Sequence, residues 1–238
     1  IMLGAISQTS LSAVSLAGQI QFVLNLFISG ISAGSGIMAA QYWGKKDAAS
    51  IEEVMPIALR TNFIFSGAFT VFAVVAPDVL MRIFTSDPAL IESGAVYLRA
   101  VSLSYLLCGI SQIYLILLKN TGYATVSSRI SCTAVVVNII CNAILIYGLL
   151  GLPALGIQGA AYATVVARLV ELIWSYLETK QSGRVQIIWK KMFRAADAVL
   201  TKDFWRYTTP VLGAALVWGI AYVSYSVIMG HMGSDAVA

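Results

Sequence analysis

Long apolar runs joined by short polar connections restrict what this chain can fold into more than any other feature. A helix needs about 20 mostly apolar residues to cross a bilayer, and roughly six such runs follow one another here. They fall at residues 13–42, 57–76, 96–118, 130–150, 155–177 and 207–230, and residues 1–7 read as the end of a further helix. The first run is long enough to tilt or to protrude from the membrane. Apolar residues are continuous within each run rather than alternating, which excludes a membrane β-barrel. Composition agrees: 59% of residues are hydrophobic, 11% are charged and the mean hydropathy is +0.84. Soluble domains carry about 25% charged residues, and a chain with so few has too little charge to cover its surface in water. The expectation is an all-α integral membrane protein, a polytopic helical bundle.

Orientation follows from the distribution of lysine and arginine. One set of connections holds Lys45, Lys46, Lys119, Arg129, Lys180, Arg184, Lys190, Lys191, Arg194, Lys202 and Arg206. The alternate set holds only Arg82 and Arg99, together with Asp78, Asp87, Glu92 and Asp235. The first set is therefore cytoplasmic, in a multi-pass protein of the plasma membrane. The net charge of +4 reflects this topology rather than nucleic-acid binding, because the cations sit at the ends of apolar segments. The longest connection, 178–206, is partly amphipathic. In "VQIIWKKMFRAADAVLTKDFW", Ile188, Met192, Ala196, Val199 and Leu200 share one helical face. Such a segment is predicted to lie flat on the cytoplasmic leaflet with Trp189 and Trp205 at headgroup level, and its change of composition marks a boundary between two units. The first and last stretches, "IMLGAIS" and "GSDAVA", read as interrupted sequence.

Catalysis finds no support in the motifs. The single histidine, His231, stands at an outer helix end without a partner acid or cysteine nearby and reads as a solvated bystander. Cys108, Cys132 and Cys141 lie inside apolar segments without metal-ligand spacing and read as core residues. The expectation is that the chain is not an enzyme and binds no cofactor. What stands out instead is polarity inside the spans. "VVVNIICNAILIYG" carries Asn138 and Asn142 four positions apart, on one helical face with Ser131. The next span repeats Thr164, Arg168, Glu171, Ser175 and Glu178 on one face, and Arg168 and Glu171 are spaced to form an intramembrane ion pair. Gln21, Asn25 and Ser32 recur similarly in the first span. Amides and charges are costly in hydrocarbon, so these stripes must face protein or a water-filled cavity. Two readings fit Gln21, Asn25 and Ser131: hydrogen bonds to neighbouring helices, or a functional site. Arg168 and Glu171 fit either a structural pair or a transport pathway, and Arg168 can also snorkel toward the cytoplasm. For Asn138 and Asn142 the functional reading is favoured, since two carbonyls one turn apart can coordinate a small cation. Gly30 and Gly34 form a GxxxG arrangement suited to close helix packing. Trp218, Tyr222 and Tyr225 form an aromatic stripe, which suits either a lipid-facing or core surface or a wall for an organic cation.

Taken in order, "LSAVSLAGQI", "AAQYWGKKD", "LLKNTGYA", "NIICNAILIYG", "LPALGIQGAAYAT" and "YTTPVLGAAL" make the chain similar to the multidrug and toxic compound extrusion (MATE) transporter family. The resemblance covers essentially the whole chain. It implies one six-helix lobe of a twelve-helix, two-lobe transporter, followed by the first helix of the second lobe. Residues 1–180 would be the amino-terminal lobe with its first helix truncated, 181–206 a cytoplasmic amphipathic linker, and 207–238 the truncated first helix of the second lobe. The echo of "IMLGAISQTSLSAVS" in "VIMGHMGSDAVA" fits such a repeat. The implied activity is export of organic cations and other amphiphiles in exchange for H⁺ or Na⁺, by alternating access. The missing carboxy-terminal lobe and membrane lipid would be the partners. The resemblance also implies a cation site of Asn138, Asn142 and Thr164, where Asn142 replaces an aspartate of the family pattern and the family's first-helix aspartate would precede Ile1. An amide cannot titrate, so Asn142 cannot carry a proton. Substrate is expected near Gln21, Asn25, Trp218 and Tyr222. The alternative is a lipid-linked oligosaccharide flippase of the wider superfamily, which calls for a more basic central cavity. A membrane-embedded enzyme lacks its catalytic constellation here, and a purely structural protein does not call for intramembrane charges.

Overall fold

A computed structural model of the chain describes residues 8–151, 153–194 and 197–231. The opening fragment 1–7, Ala196, Asp235 and the His231 side chain lie outside the described residues. The described residues form eight α-helices and one 3₁₀ turn, without strands. These are α1 (Gln8–Gly44), α2 (Ala48–Val75), α3 (Pro77–Arg82), α4 (Pro88–Asn120), α5 (Ala124–Tyr147), α6 (Gly156–Thr179), α7 (Trp189–Met192) and α8 (Ala198–His231), with the 3₁₀ turn Leu149–Gly151 between α5 and α6. Six of the helices are long and apolar enough to cross a membrane, as the runs of apolar sequence predict.

Helix ends lie beyond the apolar runs because hydropathy marks only the part in lipid, while caps decide where a helix stops. The run beginning at 57 belongs to a helix that begins at Ala48, where Asp47 accepts hydrogen bonds from the Ser50 amide at 3.0 Å and its hydroxyl at 2.6 Å. Likewise α4 starts at Pro88, eight residues before its apolar run, with Asp87 capping the Ala89 amide at 2.9 Å. At its 37 residues, α1 extends about 55 Å, well past a hydrocarbon core of about 30 Å, as its length predicted. Gly148, with φ of 69°, supplies the left-handed turn that ends α5.

Helix α4 is the hub. Its apolar window is 72% buried, against 17% for α5 and 6% for α8. It packs on α1 and α2 on one side and on α6 on the other, and α5 packs mainly on α6. Tyr105 and Tyr114 of α4 are fully buried. Polar side chains join helices across the apolar core. The Asn62 amide of α2 donates to the Gly109 carbonyl of α4 at 3.2 Å and to the Ser32 hydroxyl of α1 at 3.5 Å. Between α1 and α8 the joint rests on glycine. A Cβ at Gly34 would lie 2.7 Å from the Thr208 Cα, and one at Gly30 would lie 2.9 Å from the Leu212 Cα. The GxxxG arrangement is thus a packing device, as read from the sequence.

Two expectations are corrected. The stretch expected to form one amphipathic helix is helical over only part of its length. Among the described residues between α6 and α8, only Trp189–Met192 is helical; of the expected face, Met192 is buried and Leu200 packs against the same core, while Ile188 and Val199 are exposed. Val185, Ile187, Met192 and Phe204 instead pack into one core cluster with residues of α2 and α4. Side chains from both sides of the break find the bundle, which a period of 3.6 residues cannot foresee. Among the cysteines, Cys108 is buried but Cys132 is exposed on the outer face of α5. An apolar segment in a membrane has a lipid side as well as a core side, and apolarity does not distinguish them.

Candidate functional site

The two polar stripes of α5 and α6 meet. A kept-close hairpin brings them together: the Leu155 amide donates to the Leu145 carbonyl at 3.0 Å, and a Cβ at Gly159 would lie 2.5 Å from that same oxygen. One turn into the bilayer from this contact, the Asn142 Nδ2 donates to Asn138 Oδ1 at 2.9 Å. Asn138 Nδ2 in turn donates to Thr164 Oγ1 at 3.5 Å, and the Thr164 hydroxyl donates to the Ala160 carbonyl at 3.0 Å. The Tyr97 hydroxyl of α4 meets the same threonine. All three expected cation ligands therefore form one hydrogen-bonded row.

Asn138 and Thr164 open onto a cavity of about 320 Å³ between α4, α5 and α6, also lined by Gln112, Ser131, Arg168 and Glu171. Arg168 Nη1 donates to Glu171 Oε2 at 2.6 Å, so the expected intramembrane ion pair is formed. Glu171 is only 1% exposed, whereas Arg168 is partly exposed toward the cavity. Glu171 Oε1 accepts from Gln112 Nε2 at 3.3 Å. The carboxylate thus has a donor on each oxygen, which offsets the cost of burying it. Gln112 escaped the sequence reading because the residues three and four positions to either side of it, Cys108, Gly109, Leu115 and Ile116, mark no polar stripe. Glu178, the last member of the α6 stripe, serves elsewhere. It pairs with Arg184 and accepts from Trp174 Nε1 at 3.0 Å, tying the end of α6 to the following connection.

The four residues expected at the substrate site do not line that cavity. Trp218 and Tyr222 stack on α8 with ring centroids 5.8 Å apart and planes 11° from parallel. Phe22 of α1 tilts against both, its centroid 4.9 Å from that of Tyr222. The pair therefore packs on the turn of α1 that bears Gln21 and Asn25. Asn25 is exposed, and its Oδ1 lies 4.0 Å from the Cys108 sulfur of α4. Trp218 and Tyr222 are 62% and 47% exposed, so the aromatic group is an open shelf and not a closed pocket.

Comparison with known proteins places this architecture. The family model described as MatE matches residues 1–144, more than half of the chain. The chain belongs to the MatE family. Among curated relatives of this MatE chain, the uncharacterized transporter YisQ of Bacillus subtilis (strain 168) is 24% identical over 237 residues. That match covers 100% of the chain and 52% of YisQ. The probable multidrug resistance protein YoeA of the same organism is 24% identical, over 96% of the chain and 50% of YoeA. A solved structure described as the inward-facing conformation of a multidrug resistance MATE family transporter shares the fold, with a TM-score of 0.85 at 22% identity. It matches 99% of the chain and 53% of that protein. The chain thus spans about half the length of these relatives.

Proposed function

We propose that the complete protein of which this chain forms one lobe is a secondary active antiporter, exporting organic cations in exchange for Na⁺ or H⁺ by alternating access between two lobes. The observation that carries this reading is the convergence of Asn138, Asn142 and Thr164 beside a cavity that also holds the Arg168–Glu171 pair. Three neutral oxygens suit a small hard cation, which prefers oxygen ligands. Thr164 sends its hydroxyl proton to the Ala160 carbonyl, so its oxygen is an acceptor toward the cavity, and a bound cation would displace the 3.5 Å contact from Asn138 Nδ2. Asn138 Oδ1 accepts the Asn142 amide, so a bound cation would compete with that donor and turn the Asn142 amide to present its own oxygen. Arg168 would repel a second cation were it unbalanced, and Glu171 at 2.6 Å neutralises it. Neither asparagine titrates, so a proton would need a carboxylate. Glu171 is the carboxylate that lines this cavity.

The substrate reading rests on the stacked pair Trp218 and Tyr222, whose ring faces attract organic cations. On α8, they would stand where a second lobe meets the first. The names of relatives such as YoeA support drug efflux as the class of activity.

The test uses the complete reading frame in sealed proteoliposomes, following a fluorescent organic cation under a Na⁺ gradient and then under a pH gradient. Movement under at least one gradient is expected, and in Asn138→Ala and Asn142→Ala its dependence on that gradient should fall by about ten- to a hundredfold, as befits losing one charge-assisted contact of about 1.5–3 kcal/mol. Transport with unchanged ion dependence in both variants would remove the asparagines from coupling. No movement under either gradient would turn the reading toward a lipid-linked oligosaccharide flippase.

A further inference from the structure

A second polar pocket, of about 340 Å³, lies on the lysine- and arginine-rich side between α2, α7 and the start of α8. We propose that it holds the phosphate of an anionic phospholipid from the cytoplasmic leaflet. Its charged lining is Glu53, Arg60, Lys191, Arg194 and Asp197. Three of these five groups are already engaged. Lys191 Nζ pairs with Glu53 Oε1 at 2.7 Å. Asp197 Oδ1 caps α8 by accepting from the Val199 and Leu200 amides at 2.7 and 3.3 Å. The guanidinium groups of Arg60 and Arg194 are left, and among the described residues neither enters an ion pair. With three cations and two carboxylates the lining keeps a net positive charge, and two guanidinium groups without an ion-pair partner in one pocket suit an anion. Their planar fork of donors matches phosphate oxygens.

What surrounds the pocket separates a lipid phosphate from a soluble one. Phe193, beside Arg194 in sequence, is 81% exposed, and Ile188 and Trp189 are also exposed on the same short turn. The Trp189 ring is held in place, its Nε1 donating to the Tyr114 hydroxyl of α4 at 2.6 Å. A rigid turn that presents apolar rings next to unpaired cations fits the boundary between headgroups and acyl chains. A soluble phosphate would satisfy the arginines but leave these rings in water. A lipid satisfies both, and basic pockets among transmembrane helices on the cytoplasmic side take anionic headgroups for this reason. Because the pocket joins α2 to the connection before α8, the bound lipid would brace the link between the two units.

The proposal is tested on the complete protein by native mass spectrometry from micelles containing equal phosphatidylglycerol and phosphatidylcholine. The wild-type protein is expected to retain phosphatidylglycerol in preference. Arg60→Gln/Arg194→Gln should reduce that preference about tenfold more than Lys180→Gln/Lys190→Gln, which removes the same charge from exposed positions outside the pocket. Should the glutamine double variant fail to fold, Arg60→Lys/Arg194→Lys keeps the charge and removes the fork, and a loss of preference is expected there too. Equal losses in the two charge-matched variants, retention in the lysine variant, or no preference in the wild type would overturn the assignment. Inorganic phosphate added at millimolar level is expected not to displace the lipid. Displacement would give the pocket to a soluble phosphate and overturn the lipid reading.

Discussion

At the scale of single residues, the most consequential group is Glu171. It is buried, its charge is met by Arg168 at 2.6 Å, and its second oxygen is met by Gln112. Removing one partner of a buried pair costs more than removing both, because it strands a charge. Arg168→Met is therefore expected to destabilise the protein by about 3–5 kcal/mol, and Arg168→Met/Glu171→Leu to recover more than half of that. Apparent melting temperatures from size-exclusion profiles of heated, detergent-solubilised protein decide between these outcomes. Equal melting of the single and double variants would mean that water already solvates the pair. Thr208 presents the opposite case. It is fully buried and its hydroxyl has no hydrogen-bond partner among the described residues, so Thr208→Ala is expected to melt no lower than the wild type.

At the scale of helices, the α1–α8 joint depends on backbone approach and not on side-chain chemistry. Gly34→Leu is expected to lower the melting temperature sharply, and Gly34→Ala to do so by less. Adding Thr208→Ala to Gly34→Ala relieves only part of the loss, since an added Cβ would still lie 2.7 Å from the Thr208 Cα. Full rescue by Thr208→Ala would show that the helices separate more easily than the geometry implies. The start of α2 carries a pH dependence. Hydrogen bonds from the Ser50 hydroxyl and amide, and to a smaller extent the charge of Lys45, hold the Asp47 carboxyl below its ordinary value. A carboxylate depressed in the folded state stabilises above its unfolded pKa of about 3.9, and that contribution disappears as pH falls through the lower native value. Deuterium uptake at residues 48–52 should therefore rise below about pH 4 in the wild type, and Asp47→Asn should flatten the change. Uptake that rises equally in Asp47→Asn would place the acid sensitivity elsewhere.

At the scale of the whole molecule, α8 is the helix that the described lobe leaves uncovered. Val217, Ile220 and Ile228 face outward, and its apolar window is only 6% buried. Hydrocarbon tolerates such a face, but a two-lobed protein would cover part of it. In the complete protein, spin labels at Val217 and Ile220 are expected to be shielded from oxygen in the bilayer, while labels at Val136 and Ile140 on the outer face of α5 stay accessible. Equal accessibility at all four sites would argue against a second lobe packed on α8.

Much of this protein is written in one dimension. Lipid admits only backbone that bonds to itself, so 20-residue apolar runs become helices whatever surrounds them, and their number and order were legible from the chain. The cost of amides in hydrocarbon likewise marked Asn138, Asn142, Thr164, Arg168 and Glu171 as facing inward, and all five engage one another or the same cavity. Only the tertiary structure could decide what lies across from each stripe. Gln112 joins the site because α4 passes opposite α6, and Phe22 joins the aromatic pair because α8 returns against α1. Val185 and Ile187 before α7 and Phe204 of α8 enter one core cluster with Met192, a convergence that the helical period of the connection does not contain. Burial in lipid is a property of each segment alone and can be read from its composition. Contact between segments depends on how distant surfaces fit, and no local periodicity contains that information.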